Sequence, residues 1–232
     1  MKARVDVNGL NFSLVLMDNM PLLLKILLLI LFSPAVSMAT DVIELGNFSS
    51  SGLSGWSEKS FQGKTDYRIV EEEGQQVLFA KSEAAASGLV FEADYDPQQF
   101  PILSWRWKVS DTISKGDSRS KAGDDYAARV YVVFPHWFFP KTKTLNYIWA
   151  NQLPKNSSQL SVYTGNAMMI AVESGSAKAG EWVTVQRNLL DDYRKAFGEE
   201  PAKVGAIAIM TDTDNTGETA EAWYGDIKVL RK

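Results

Sequence analysis

The chain has 232 residues with 24 basic and 28 acidic side chains, one histidine and no cysteine, for a net charge of −4. An acidic balance argues against nucleic-acid and anionic-surface partners, and a lone His136 without any thiol leaves no ligand set for zinc catalysis and no cysteine chemistry. A hydrophobic content of 45% and a charged content of 22% are those of a globular protein long enough to build a core without disulfides.

The first 39 residues read as a leader. Residues 22–32 are apolar apart from Lys25, too few for a membrane span of about 20 residues but right for the hydrophobic region of a secretory signal. Ser37-Met38-Ala39 puts small residues at a cleavage site. Cleavage after Ala39 is expected, giving a mature chain from Thr40, with no cysteine to carry a lipid anchor. A start at Met17 or Met20 would give a shorter leader, and an uncleaved anchor is the alternative. Loss of Lys2, Arg4, Lys25, Asp6 and Asp18 moves the net charge from −4 to −5. The expected location is the periplasm of a Gram-negative bacterium, with no stable membrane anchor after cleavage.

Residues 42–45 read as a short edge strand, followed by a Ser/Gly turn over 49–55 and loop at 61–64. Residues 66–71 and 76–81 form a hairpin around Glu72-Glu73-Gly74, residues 87–93 another strand, and Asp96-Pro97 starts a turn. The block 101–134 is the centre of the pattern. Leu103, Trp105, Trp107 and Val109 alternate with Ser104, Arg106 and Lys108, the period of a half-buried strand. After a polar loop, Tyr126, Ala128, Val130, Val132 and Phe134 form one face of a second strand, with Asp125, Arg129 and Tyr131 on the other. Pro135 and Pro140 then bracket a loop with an aromatic tip, His136 to Phe139.

Strands are predicted over 146–151, 167–173 and 181–188, with a polar loop at 153–159. One short helix is predicted over 192–197, capped by Asp191 and closed by Gly198. A strand over 203–210, a polar loop over 211–221 and a last strand over 222–230 complete the chain. In that last strand Trp223, Ile227 and Val229 are assigned to the core and Tyr224 and Asp226 to the outer face. About ten short strands with Gly/Asp/Ser turns predict one all-β domain over 40–232, an antiparallel β-sandwich of jelly-roll or galactose-binding-like type.

Several blocks, LSWRWKV, GDDYAARVYVVF, LNYIWA, DDYRKAFG and IAIMTDTDNTGETAEAWYGDI, together resemble the bacterial domain-of-unknown-function family 3047. The resemblance covers most of the mature chain. It implies an exported, sandwich-like bacterial protein and supplies no reaction.

Three constellations could carry chemistry. Asp125 and Arg129 share a strand face, with Arg106 placed across the strand pair; this is either a structural ion pair or a patch that contacts a polar ligand. Asp212, Asp214, Asn215 and Glu218 put hard oxygen donors in one loop, suited to calcium or to an ordinary Asx-rich turn. The aromatic set Trp105, Trp107, Tyr147, Trp149, Trp182, Trp223 and Tyr224 suits either a sandwich core or sugar-stacking platforms, with Trp105 and Trp107 assigned to the core. The leading expectation is a non-catalytic binder of a small polar or glycan-like ligand, using Arg106, Asp125, Arg129, Tyr224 and Asp226. The alternatives are a carboxylate-based glycan hydrolase using Asp125, Asp212 or Asp226, and an envelope subunit docking through the 135–140 loop.

Overall fold

A computed structural model of the protein describes residues 41–231; the predicted leader and its cleavage site lie outside the described residues. Thr40–Lys232 is a compact unit. The strands in order are β1 (Val42–Gly46), β2 (Trp56–Gln62), β3 (Asp66–Glu72), β4 (Gln75–Glu83), β5 (Ala86–Tyr95), β6 (Ile102–Val109) and β7 (Arg129–Phe134). They continue with β8 (Lys143–Ala150), β9 (Ser158–Ser161), β10 (Thr164–Ser174), β11 (Val183–Asn188), β12 (Val204–Asp212), β13 (Thr219–Tyr224) and β14 (Ile227–Leu230). Helix α1 (Phe48–Ser51) follows β1, and α2 (Leu189–Phe197) follows β11. No helix among the described residues is long and apolar enough to cross a membrane.

The strands form two sheets, the jelly-roll-like β-sandwich the sequence predicts. In the first, β6 is the hub. β11 pairs one edge of β6, while β13 and β14 lie end to end along the other. β1 flanks β14, and β4 and then β3 flank β13. The second sheet runs β2-β5-β12-β7-β8-β10-β9. Its β8–β10 pair is parallel; all other pairs in both sheets are antiparallel.

The core lies between the sheets. Leu103, Trp105, Trp107 and Val109 all point inward and are buried. Trp105 and Trp107 meet edge-to-face with centroids 5.4 Å apart. Trp105 then packs on Tyr147 at 5.3 Å and Trp107 on Trp149 at 6.0 Å, joining β6 to β8 of the opposite sheet. Removing a core tryptophan of this kind typically costs about 3–5 kcal/mol.

Several predicted details are corrected. β6 and β7 are adjacent in sequence but lie in different sheets, so Arg106 does not lie across from Arg129. Residues 125–128 belong to the connection rather than to β7. β2 runs to Gln62 within the predicted 61–64 loop: it is an edge strand exposed beyond Trp56 and so lacks an alternating apolar signal. β9 begins within the predicted 153–159 loop. Helix α2 starts at Leu189, capped by Asn188, whose side chain accepts from the Leu190 and Asp191 N–H groups; Gly198 closes it in the left-handed region, as predicted.

The last strand is broken. Residues 225–226 separate β13 from β14, and the Gly225 N–H donates to the Arg106 carbonyl at 2.9 Å. A bulge shifts the two-residue alternation by one. Ala222 and Tyr224 therefore point inward before it, and Ile227 and Val229 after it. Tyr224 is in the core and Trp223 on the outer face, the reverse of the sequence-based assignment.

Candidate ligand face and aspartate cluster

The predicted site residues divide among three places. Arg106 and Asp226 lie on the outer face of the first sheet. Asp125 and Arg129 join Asp212 and Asp214 in a buried cluster. Tyr224 belongs to neither: it is 0% exposed, and its hydroxyl donates to the Met210 carbonyl at 2.9 Å and pairs with the Thr211 hydroxyl at 3.0 Å. It is a core residue that fastens β13 to β12.

The outer face is built by alternation. Because Leu103, Trp105 and Trp107 go inward, Ser104, Arg106 and Lys108 go outward. Register puts Gln186 on β11 and Lys228 on β14 beside Ser104, and Thr184 beside Arg106. Ser104 is small among longer neighbours, so the row Gln186–Ser104–Lys228 sinks into a hollow of about 380 Å³. Ser49, Gln75, Gln76 and Asp226 complete its polar rim. Asp226 Oδ1 accepts from the Ser49 N–H at 2.9 Å and Oδ2 from the Ser49 hydroxyl at 2.6 Å, tying α1 to the bulge.

A ladder of rings and cations runs from that hollow across the sheet. The Arg106 guanidinium lies 4.5 Å from the Trp182 ring centroid and donates to Gln75 Oε1. The Lys108 ammonium sits 5.4 Å from Trp182 and 4.5 Å from Trp223, and pairs with Glu72. Trp223 meets Phe79 at 5.2 Å, and Arg68 covers Phe79 at 4.5 Å. Trp182 and Trp223 are half-buried. Gly225 is needed for this packing, because a Cβ there would come within 2.5 Å of the Arg106 side chain.

The aspartate cluster lies at one end of the second sheet, where the residue 111–128 connection meets the loop after β12. Arg129, at the start of β7, donates from Nε to Asp212 Oδ1 at 2.8 Å and from Nη2 to Asp212 Oδ2 and the Asp124 carbonyl. Its Nη1 reaches the Tyr131 hydroxyl at 3.2 Å, and the guanidinium lies 4.4 Å from the Tyr126 ring centroid. Asp125 is fully buried and accepts from the Thr216 N–H at 2.6 Å and from Asn215 Nδ2 at 3.0 Å. Asp125, Asp212 and Asp214 offer oxygens within 4.8 Å of one another.

Electrostatics follow from burial. Desolvation pushes Asp212 up to about 8 against the pull of Arg129, and Asp125 beside it adds to the rise. Burial likewise raises Asp124, opposed by Arg129, and raises Asp214, helped by Asp125.

Of the predicted calcium ligands, Asp212 and Asp214 are in the cluster, and Asn215 instead donates to Asp125. Glu218 is elsewhere: its carboxylate accepts from Ser114 and from the Lys115 N–H at 2.9 Å, holding the long connection in place. The proposed Asp125–Arg129 ion pair is not formed; Arg129 pairs with Asp212 and, at 3.5 Å, with Asp124. Trp105, Trp107, Tyr147 and Trp149 are core, leaving Trp182 and Trp223 as the outer-face members of the aromatic set. At the loop tip Trp137 is 92% and Phe139 82% exposed. Thr184, Gln186, Lys228 and Gln75 were missed, although strand alternation marks the first three as outward-facing.

Residues 54–228 match the family described as "Protein of unknown function (DUF3047)", and the chain belongs to that family. No curated protein matches it. Among solved structures it is similar to cellulose induced protein Cip1, at 8% identity over 82% of this chain and 98% of that one, with a TM-score of 0.48. It is also similar to the xyloglucanase domain of NopAA, a type three effector from Sinorhizobium fredii in complex with cellobiose (10% identity, 84% and 100% coverage, TM-score 0.44). The CBM22-1 xylan-binding domain of Paenibacillus barcinonensis Xyn10C gives 12% identity, 84% and 99% coverage and a TM-score of 0.40.

Proposed function

We propose that this protein is an exported binder of a glycan, engaged on the outer face of its first sheet. The observation that carries this reading is the polar hollow of about 380 Å³, one of whose lining side chains, Arg106, stacks on half-buried Trp182. Its volume is in the range of small-molecule sites, about 300–1,000 Å³. Amide, hydroxyl and guanidinium groups can exchange hydrogen bonds with a polyol, and an indole ring can cover sugar C–H groups. A hollow of similar size, about 340 Å³, on the outer face of the second sheet is lined mainly by Val90, Val133, Ala206, Ala208 and Met210 and offers a polyol little to bond with. Asp226 is the one carboxylate lining the polar hollow, which favours binding over hydrolysis by a carboxylate pair. Export through cleavage after Ala39 is part of the same proposal, and a mature mass beginning at Thr40 tests it. For the binding itself, affinity electrophoresis against a panel of polysaccharides should retard the wild type, with about tenfold weaker retardation for Trp182→Ala. No retardation by any polysaccharide would overturn the reading.

A second reading concerns the aspartate cluster. Asp125 and Asp214 lie beside Asp212, while Arg129 pairs only with Asp212 and Asp124, and Asp124 Oδ1 is buried without a hydrogen-bond partner among the described residues. A surplus of buried carboxylate oxygens fits a calcium ion. Asp125, Asp212 and Asp214 would hold it, and the ion would supply charge neutralisation that fixes the two loops.

A further inference from the structure

The charge of the hollow points to the kind of glycan. Arg106 and Lys228 both line it, and neither has a carboxylate within ion-pair distance among the described residues. Arg106 spends one donor on the neutral amide of Gln75 and stacks on Trp182. Glu44 stands opposite Lys228 in the β1–β14 ladder, yet forms no ion pair with it. The one acid of the lining, Asp226, has both oxygens engaged by Ser49. The hollow therefore presents two cations without ion-pair partners and one carboxylate held by the neutral donors of Ser49, a net positive lining on a chain whose net charge is −4.

Contrast with Lys108 sharpens the point. That lysine lies on the same face and is nearly buried, and it has its own acid, Glu72. Arg106 and Lys228 sit at diagonal positions of neighbouring strands, because Lys228 is in register with Ser104. Such positions are about 7–8 Å apart, and both side chains border one cavity. Gln186 and Thr184 add neutral donors around them. Two cations flanking small hydroxyl and amide groups match a sugar ring that carries a carboxylate. A planar guanidinium can take that carboxylate through two parallel hydrogen bonds.

We propose that the ligand is an acidic glycan of the uronate class, its carboxylate held between Arg106 and Lys228. The inference rests on the glycan reading above. The test is calorimetric titration of the Thr40–Lys232 chain with polygalacturonate, with the same polymer methyl-esterified at its carboxyls, with a neutral glucan and with polyglutamate. Binding to the free uronate polymer should exceed binding to its ester at least tenfold. Arg106→Gln and Lys228→Gln should each weaken uronate binding about tenfold to a hundredfold, because charge-assisted hydrogen bonds are lost. Lys81→Gln, on the same sheet face but paired with Glu83, should leave binding unchanged. Equal affinity for uronate and ester, or neutral-glucan binding without uronate binding, would overturn this inference and leave the glycan reading standing. Polyglutamate bound as tightly as polygalacturonate would show a simple cation patch and overturn it too. No binding to any sugar polymer would sink both readings.

Discussion

Two of the arginines that stack on aromatic rings, Arg129 and Arg106, solve opposite problems. Arg129 is buried, stacked on Tyr126 and locked by Asp212 and Asp124. Arg106 is half-exposed, stacked on Trp182 and bonded only to a neutral amide. A buried charge must be paired or its desolvation is uncompensated. A charge at the surface can stay unpaired, because water solvates it until a ligand arrives. The first arginine is explained by the fold; the second is free to serve the proposed glycan site.

The largest effect that could break this contrast is on stability. Arg129→Ala leaves the buried Asp212 without its partner and should cost about 3–5 kcal/mol in chemical denaturation at about pH 9, where Asp212 is ionised. Arg129→Lys keeps the charge but not the fork and should be destabilised less. If both variants stay within about 0.5 kcal/mol of wild type, Arg129 behaves as an uninvolved surface residue, and the distinction collapses.

Next in size is calcium. An ion bound only by the folded chain would raise stability by about 2.7 kcal/mol at a hundredfold excess over its Kd. Thermal melting in calcium should exceed melting in chelator, and Asp214→Ala should abolish the difference. Identical wild-type melting in the two conditions would leave the cluster to be neutralised by protons alone.

Proton neutralisation has its own signature, measured in chelator. Asp212 sits at about 8 in the folded chain, against about 3.9 for an unfolded aspartate. Across that window the folded state holds a proton that the unfolded state has released. The group's stabilising contribution is therefore full below about pH 4 and is lost as pH rises toward about 8. The melting temperature should fall between pH 5 and pH 9, and Asp212→Asn should flatten the fall. A wild-type profile that is level or rises over that range would contradict the shifted aspartate.

The smallest stability effect belongs to the ligand face. Trp182→Ala should cost less than the same change at Trp105 or Trp107, because Trp182 is only half-buried and the other two fill the inter-sheet core. Its loss should show instead in polysaccharide retardation. A Trp182→Ala variant that is destabilised as much as Trp107→Ala, with binding intact, would reassign Trp182 to the core.

What the sequence revealed and what it hid follow from the range of each signal. The alternation in residues 102–109 is local, so the inward face of β6 was readable, including Trp105 and Trp107. Strand pairing is not local. β7 follows β6 in sequence, yet the long connection carries it to the other sheet, and Arg129 finds Asp212 through the pairing of β7 with β12. That pairing was invisible, so Arg106 was grouped in error with Asp125 and Arg129. The inversion at Tyr224 had a local cause that could have been read: Gly225 interrupts an otherwise apolar-alternating strand, and a glycine there signals a bulge. The acidic loop was recognised for its oxygen donors, but Glu218 lies past the turn and faces Ser114 rather than the cluster. The residues that line the hollow sit on α1, β4, β6, β11, β14 and the break before β14, and meet only in the folded chain.

The division of labour between the two regions is tested most directly by hydrogen–deuterium exchange of the Thr40–Lys232 chain with and without saturating polygalacturonate. The account predicts added protection in peptides from β6, β11 and β14, which border the hollow, and none in β7 or the loop between β12 and β13. Protection confined to that loop and the start of β7, with the first sheet unchanged, would contradict it.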